Sequence, residues 1–120
     1  MPKKKQITTV NKLNIEEAAW LAGFFDGEGS LVTYVPTHLK HLGTKCYALL
    51  LPNTHLESLE KCKKITGAGN ICIKYCKLKN RKKQWTWSVH ARIYVMSIIK
   101  QILPYTVTKR DKIKEILLEI

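Results

Sequence analysis

Three small residues, Ala19, Gly23 and Gly27, recur at intervals of four, the spacing of one ridge on an α-helix. Ala18 and Ala22 form a second small row beside it, which ends at Asp26. A ridge of this kind lets two helix backbones approach closely. The segment is not apolar enough to span a bilayer, so the neighbour it calls for is another protein helix in water. Ala19, Ala22, Gly23, Asp26 and Gly27 are therefore the candidate residues of a helix–helix seam, while Leu21, Phe24 and Phe25 anchor the helix to its own domain.

The end of this helix carries the chemistry. Gly27 and Gly29 are natural terminators, and they bracket Glu28. A carboxylate at a helix C-terminus lies against the negative end of the macrodipole. With a twin helix alongside, two such carboxylates also repel each other. A divalent cation relieves both problems, so the pattern reads as a metal site at a helix–helix seam. The plainer alternative is an amphipathic helix with a glycine-terminated end.

Charge narrows the class of partner. Among 120 residues, 21 Lys and Arg oppose 9 Asp and Glu, a net charge of +12. Such an excess suits a polyanion, because Lys and Arg displace counterions condensed on phosphates. No segment is both strongly basic and amphipathic over its length, which argues against a membrane surface. Met1-Pro2-Lys3-Lys4-Lys5 is followed by polar residues with no apolar stretch, so no signal peptide is expected and residues 1–13 read as a flexible basic arm. Cys46, Cys62, Cys72 and Cys76 form no close pair of zinc-ligand spacing and read as reduced thiols of an intracellular protein.

Residues 14–120 read as one domain. Asn14 is the expected N-cap of a helix running to about Phe25. Strands follow at Leu31–Val35 and Lys45–Leu51, closed by Pro36 and Pro52, with a polar hairpin loop over Thr37–Thr44 between them. A helix from about His55 to Ile65 ends at the Gly67/Gly69 break. Strands at Asn70–Leu78 and Gln84–His90 flank a charged turn. Helices at Ala91–Leu103, built on Ile93, Met96, Ile99 and Leu103, and at Thr108–Ile120 complete the chain. The expected fold is α+β, an αββαββα order with one four-stranded antiparallel sheet and helices on a single face. Alternation puts Val32, Tyr34, Cys46, Ala48, Leu50, Cys72, Lys74, Cys76, Gln84, Thr86, Ser88 and His90 on the open face, which fits the major groove of double-stranded DNA. His38 and Lys40 lie in the polar loop, and Lys40, Lys45, Lys77, Lys79, Arg81, Lys82 and Lys83 would hold phosphates at the edge and tips.

Leu21 to Gly29 resembles the signature motif of the LAGLIDADG homing endonucleases. Further segments resemble the same family in the same order. These are Asn53-Thr54 with Leu56-Glu57-Ser58-Leu59, then Thr66-Gly67-Ala68-Gly69, then Trp85-Thr86-Trp87-Ser88-Val89, and finally Leu103-Pro104-Tyr105 through Lys109. The pattern departs at Pro52, directly before Asn53, and at His90-Ala91, where a glycine is usual.

The resemblance implies that Glu28, with Gly27 beside it, holds the catalytic metal, and that Asp26 is mainly structural. It implies that Asn53 orders active-site water and that Lys109 lies near the scissile phosphate. One motif means one half-site, so a homodimer is expected. The implied activity is Mg²⁺-dependent double-strand cleavage of a long pseudo-palindromic site, with two or three ions shared across the seam, short 3′ overhangs and no small-molecule cofactor. An organelle, or a bacterial or phage cytoplasm, is the expected setting, with mobility of an intron or intein-type element as the role. The alternative is a non-cleaving RNA-splicing maturase or DNA-binding regulator on the same scaffold.

Overall fold

A computed structural model describes residues 9–43, 45–74 and 83–119, with residues 39, 40 and 74 as backbone. The element order is α1 (Ile15–Glu28), β1 (Ser30–Tyr34), β2 (Cys46–Asn53), α2 (Leu56–Thr66), β3 (Asn70–Lys74), β4 (Gln84–Val89), α3 (Arg92–Ile102) and α4 (Arg110–Glu119). This is the expected α+β order, αββαββα, followed by the second C-terminal helix that the sequence also marks. The strands form one antiparallel sheet in the order β1-β2-β4-β3.

Register fixes the two faces of the sheet. Val32 pairs with Ala48, Tyr34 with Cys46, Leu50 with Ser88, and Thr86 with both Pro52 and Cys72, so all lie on one face, and all but Pro52 were placed there by the alternation. The opposite face carries Leu31, Tyr47, Leu49, Leu51, Trp87 and Val89, all buried. Helices cover this second face alone. Their core side chains are Leu21, Ala22 and Phe25 from α1, Leu59 and Cys62 from α2, Val95, Ile98, Ile99 and Ile102 from α3, and Ile113 and Ile116 from α4. No described helix is long and apolar enough to cross a membrane.

Several expectations are corrected. Between β1 and β2, a 3₁₀ turn occupies Thr37–Leu42, most of the expected loop. β2 does not stop at Pro52 but continues to Asn53. β1 reaches only as far as Leu50 on that side, so a proline beyond it faces no partner strand there and breaks no ladder. In α3, Ile93 is 62% exposed and the buried stripe is Val95, Ile98, Ile99 and Ile102. Asn11 and Leu13, expected in the flexible arm, are tied to the domain. Asn11 N donates to Thr66 O at 2.8 Å, Leu13 N donates to Gln101 Oε1 at 2.6 Å, and Leu13 is buried. Residues 1–8 of that arm lie outside the described residues.

The break after α2 is built from glycines that must be glycine. Gly67 caps the helix at φ +67° and Gly69 turns at φ +88°. A Cβ on Gly69 would press on the Trp87 indole and the Ser88 carbonyl. Between them Ala68 O accepts from Trp87 Nε1 at 3.0 Å, which locks the turn to β4.

Candidate functional site

α1 starts with a reciprocal cap: Glu17 N donates to Asn14 Oδ1 at 2.8 Å, and Asn14 N donates to Glu17 Oε1 at 3.0 Å. The helix outlasts the expected end at Phe25, because Gly29 N still donates to Phe25 O at 2.8 Å. Gly27 therefore lies inside the helix, and Glu28 is its last residue. Gly29 is required by packing and not by backbone angle. Its φ is −86°, but a Cβ there would run into the Phe25 ring.

The two faces of α1 separate cleanly. Ala18, Leu21, Ala22 and Phe25 are buried in the protomer's own core. Ala22 is thus corrected: at 0% exposure it has no surface to offer a partner. Ala19, Gly23 and Gly27 are exposed, and a Cβ on either glycine would meet nothing within 4 Å.

Asp26 turns its carboxylate into the protomer. Oδ2 accepts from Val107 N at 2.7 Å and Oδ1 from Lys109 N at 3.0 Å. Its carbonyl accepts from Thr108 Oγ1 at 3.0 Å and from Lys109 Nζ at 3.3 Å. The ammonium of Lys109 thereby reaches the last turn of the helix that carries Glu28. α1 has no basic residue of its own in that turn, so Lys109 supplies the cation that the helix C-terminus favours.

Glu28 is exposed and makes no hydrogen bond or ion pair among the described residues. No group of three or more His, Cys, Asp or Glu is gathered among those residues to hold a metal. A free carboxylate is a hard oxygen donor that suits Mg²⁺, an ion that keeps several waters and needs few protein ligands. One such carboxylate leaves the remaining positions of the ion to water and other ligands.

Asn53 closes β2, and its side chain is engaged locally. Oδ1 accepts from His55 N at 2.8 Å, and His55 Nδ1 lies 2.7 Å from Ser58 Oγ. Among the described residues it bonds neither Glu28 nor Lys109.

The open sheet face presents Val32 at 36% and Tyr34 at 41% exposure, with Gln84, Thr86 and Ser88 half-buried. Ala48 shares that face but is buried. His90 is exposed one residue past β4, so the ladder does not hold it on the sheet, contrary to expectation. His38 is exposed on the 3₁₀ turn and Lys83 is exposed just before β4. Lys45 is exposed and lies 3.9 Å from Glu119, a surface pair of little energetic weight. Lys77, Lys79, Arg81, Lys82 and Cys76 lie outside the described residues, as do the side chains of Lys40 and Lys74. Reading the sequence missed Thr108 and Val107, whose tie to Asp26 spans more than 80 positions and leaves no local signal.

No family model matches the chain, and no curated protein matches it in sequence. Solved structures do match its fold. The homing endonuclease I-CvuI, in complex with its target, superposes with a TM-score of 0.69 at 22% identity over 88% of this chain and 68% of its own. The archaeal intron-encoded I-Vdi141I, complexed with DNA, gives 0.65 at 16% over 82% and 62%. The LAGLIDADG homing endonuclease I-SmaMI, bound to cleaved DNA, gives 0.58 at 22% over 82% and 32%. The fold is that of the LAGLIDADG homing endonucleases.

Proposed function

We propose that this chain is a DNA endonuclease that works as a homodimer on a long pseudo-palindromic duplex site. The observation that carries the reading is the meeting of Lys109 with Asp26 in the last turn of α1, the helix whose final residue is the free carboxylate Glu28. The likeness in fold to structures solved on DNA supports it.

On this reading Ala19, Gly23 and Gly27 form the seam, and Glu28 of each protomer meets its twin there. Glu28, beside Gly27, would hold Mg²⁺, two or three ions being shared between the protomers. When bound, the metal activates water and stabilises the leaving oxygen. Lys109 stabilises charge on the scissile phosphate, and Asn53 orders water near it. Val32, Tyr34, Gln84, Thr86 and Ser88 face the bases. His38, Lys40, Lys45, Lys74, Lys77, Lys79, Arg81, Lys82, Lys83 and His90 serve phosphates or groove edges. The products carry short 3′ overhangs, and the biological role is mobility of an intron or intein-type element.

The test is Glu28→Gln. The amide keeps the size of the side chain but loses the anionic oxygen that Mg²⁺ prefers. It also removes a negative charge from the unfavourable end of α1. Against a randomised duplex library in Mg²⁺, the wild type should cut a defined site. The variant should bind that site in a gel shift with wild-type affinity and fail to cut it. Near-normal cutting by Glu28→Gln would place the metal elsewhere and sink the assignment.

A further inference from the structure

α4 begins at Arg110, and amides at the start of a helix have no carbonyl within it to accept from them. Asp26, at the far end of another helix, binds just ahead of those amides, taking the amides of Val107 and Lys109 in the turn that leads into Arg110 on its two carboxylate oxygens. The exchange is reciprocal. An anion stands at the N-terminal end of α4, and the Lys109 ammonium stands at the C-terminal end of α1, each opposite in sign to the partial charge it faces. Thr108 Oγ1 adds a bond to the Asp26 carbonyl, so three consecutive residues hang on one.

The other restraints on this turn act elsewhere. Thr106 bonds back to Leu103 O through both its amide and its hydroxyl, and Arg110 Nε donates to Thr106 O at 3.0 Å. Among the described residues, Asp26 makes the only hydrogen bonds that tie Val107, Thr108 and the Lys109 ammonium to α1.

Resting on the nuclease reading, we infer that Asp26 is the positioning residue for Lys109. It fixes the backbone from Val107 to Lys109 and thereby sets the ammonium beside the helix end that carries Glu28. Its substitution acts on cleavage only through Lys109. Asparagine at this position keeps the shape but loses the charge, and it turns an N–H donor toward one of two backbone N–H donors. The clamp cannot survive that change intact.

The experiment compares Asp26→Asn, Lys109→Met and the double variant by two readouts. Amide hydrogen exchange at Val107 and Lys109, in the free protein without metal or DNA, reports the clamp itself. Asp26→Asn should speed exchange there by about tenfold or more, with the amides of β2 and β4 unchanged. Single-turnover cleavage beside gel-shift affinity reports the consequence. The rate should fall by about tenfold or more while affinity stays within about twofold, and Asp26→Asn should add no loss in the Lys109→Met background. Unchanged exchange at both amides, or rate losses that multiply in the double variant, overturns the inference. If Asp26→Asn does not fold, Thr108→Val carries the same test. It should lose a few-fold in rate, a loss absent from the Lys109→Met background, and full rate overturns the role. A wild type that cuts no duplex removes the nuclease reading and this role together; one that cuts, with Asp26→Asn cutting equally well, removes the role alone.

Discussion

Gly23 sits in the interior of α1 with no left-handed angle and no neighbour within 4 Å of a built Cβ. Inside the protomer that glycine is a cost, since alanine in a helix interior is better by roughly 0.8–1.0 kcal/mol. Gly23→Ala should therefore raise the stability of an isolated protomer by about that amount, read as a higher urea midpoint at high dilution. Gly23→Leu separates the two effects further. Its side chain points into open space in the protomer, yet at a close helix–helix seam it overpacks, at about 1–3 kcal/mol per copy. In the proposed dimer both copies would meet at a two-fold seam, so its loss would be about 2–6 kcal/mol. At roughly 1.4 kcal/mol per decade, that weakens the dimerisation constant by about 30-fold to about 10⁴-fold. Sedimentation over a concentration series reads this directly. A Gly23→Leu protein that dimerises as well as the wild type would refute the reasoning. So would a wild type that stays monomeric both free and on DNA.

Gly69→Ala should destabilise the fold by about 1–3 kcal/mol from backbone strain alone, with more from its clash at Trp87 and Ser88; a wild-type denaturation midpoint would contradict this. DNA affinity should fall steeply with salt, with a log–log slope reflecting on the order of ten phosphate contacts per dimer. Neutralising Arg81, Lys82 and Lys83 should shallow that slope and spare sequence preference, and indifference to salt would move the binding surface elsewhere. Burial pushes the Cys62 thiol from 9.0 up to about 12. The folded state thus keeps a proton that the unfolded chain releases. Its contribution is whole below pH 9 and is lost as pH rises from about 9 toward 12. In native protein at pH 8, iodoacetamide should label the exposed Cys72 and spare Cys62; equal labelling would contradict the burial.

The strands were legible because their period is short and their limits are marked. Two-residue alternation in Gln84–Val89, fixed against β2 and β3 by register, put Trp85, Trp87 and Val89 opposite Gln84, Thr86 and Ser88 as predicted. α3 was harder. Ile93, Val95, Met96, Ile98, Ile99, Ile102 and Leu103 surround the helix, so the pattern could not phase its buried face, and tertiary packing chose Val95 over Ile93. Ala22 was misassigned for a related reason: a small residue serves equally in a tight core and at a seam, and spacing alone does not say which. The end of α1 was misjudged because Gly27 was read as a terminator, whereas it lies inside the helix and only Gly29, which also clears the Phe25 ring, caps it. Asn11 and Leu13 were read as free chain because their bonds to Thr66 and Gln101 span long separations.

α1 carries three demands on fourteen residues, and their compatibility explains its composition. One side must fill the core, hence Leu21 and Phe25. The other side, on the proposed seam, would have to stay nearly flat, which Ala19, Gly23 and Gly27 allow. Its end must place Glu28 outward while Asp26 points inward to the turn before α4. Residues 26 and 28 are two apart on a helix, about 200° around the axis, so they cannot share a face. That offset assigns one carboxylate to holding Lys109 and leaves the other free. Loss of the carboxylate at position 26 would strand the amides of Val107 and Lys109. On the proposed reading, the chain would then carry half of a metal site at the place where a second α1 would bring the other half.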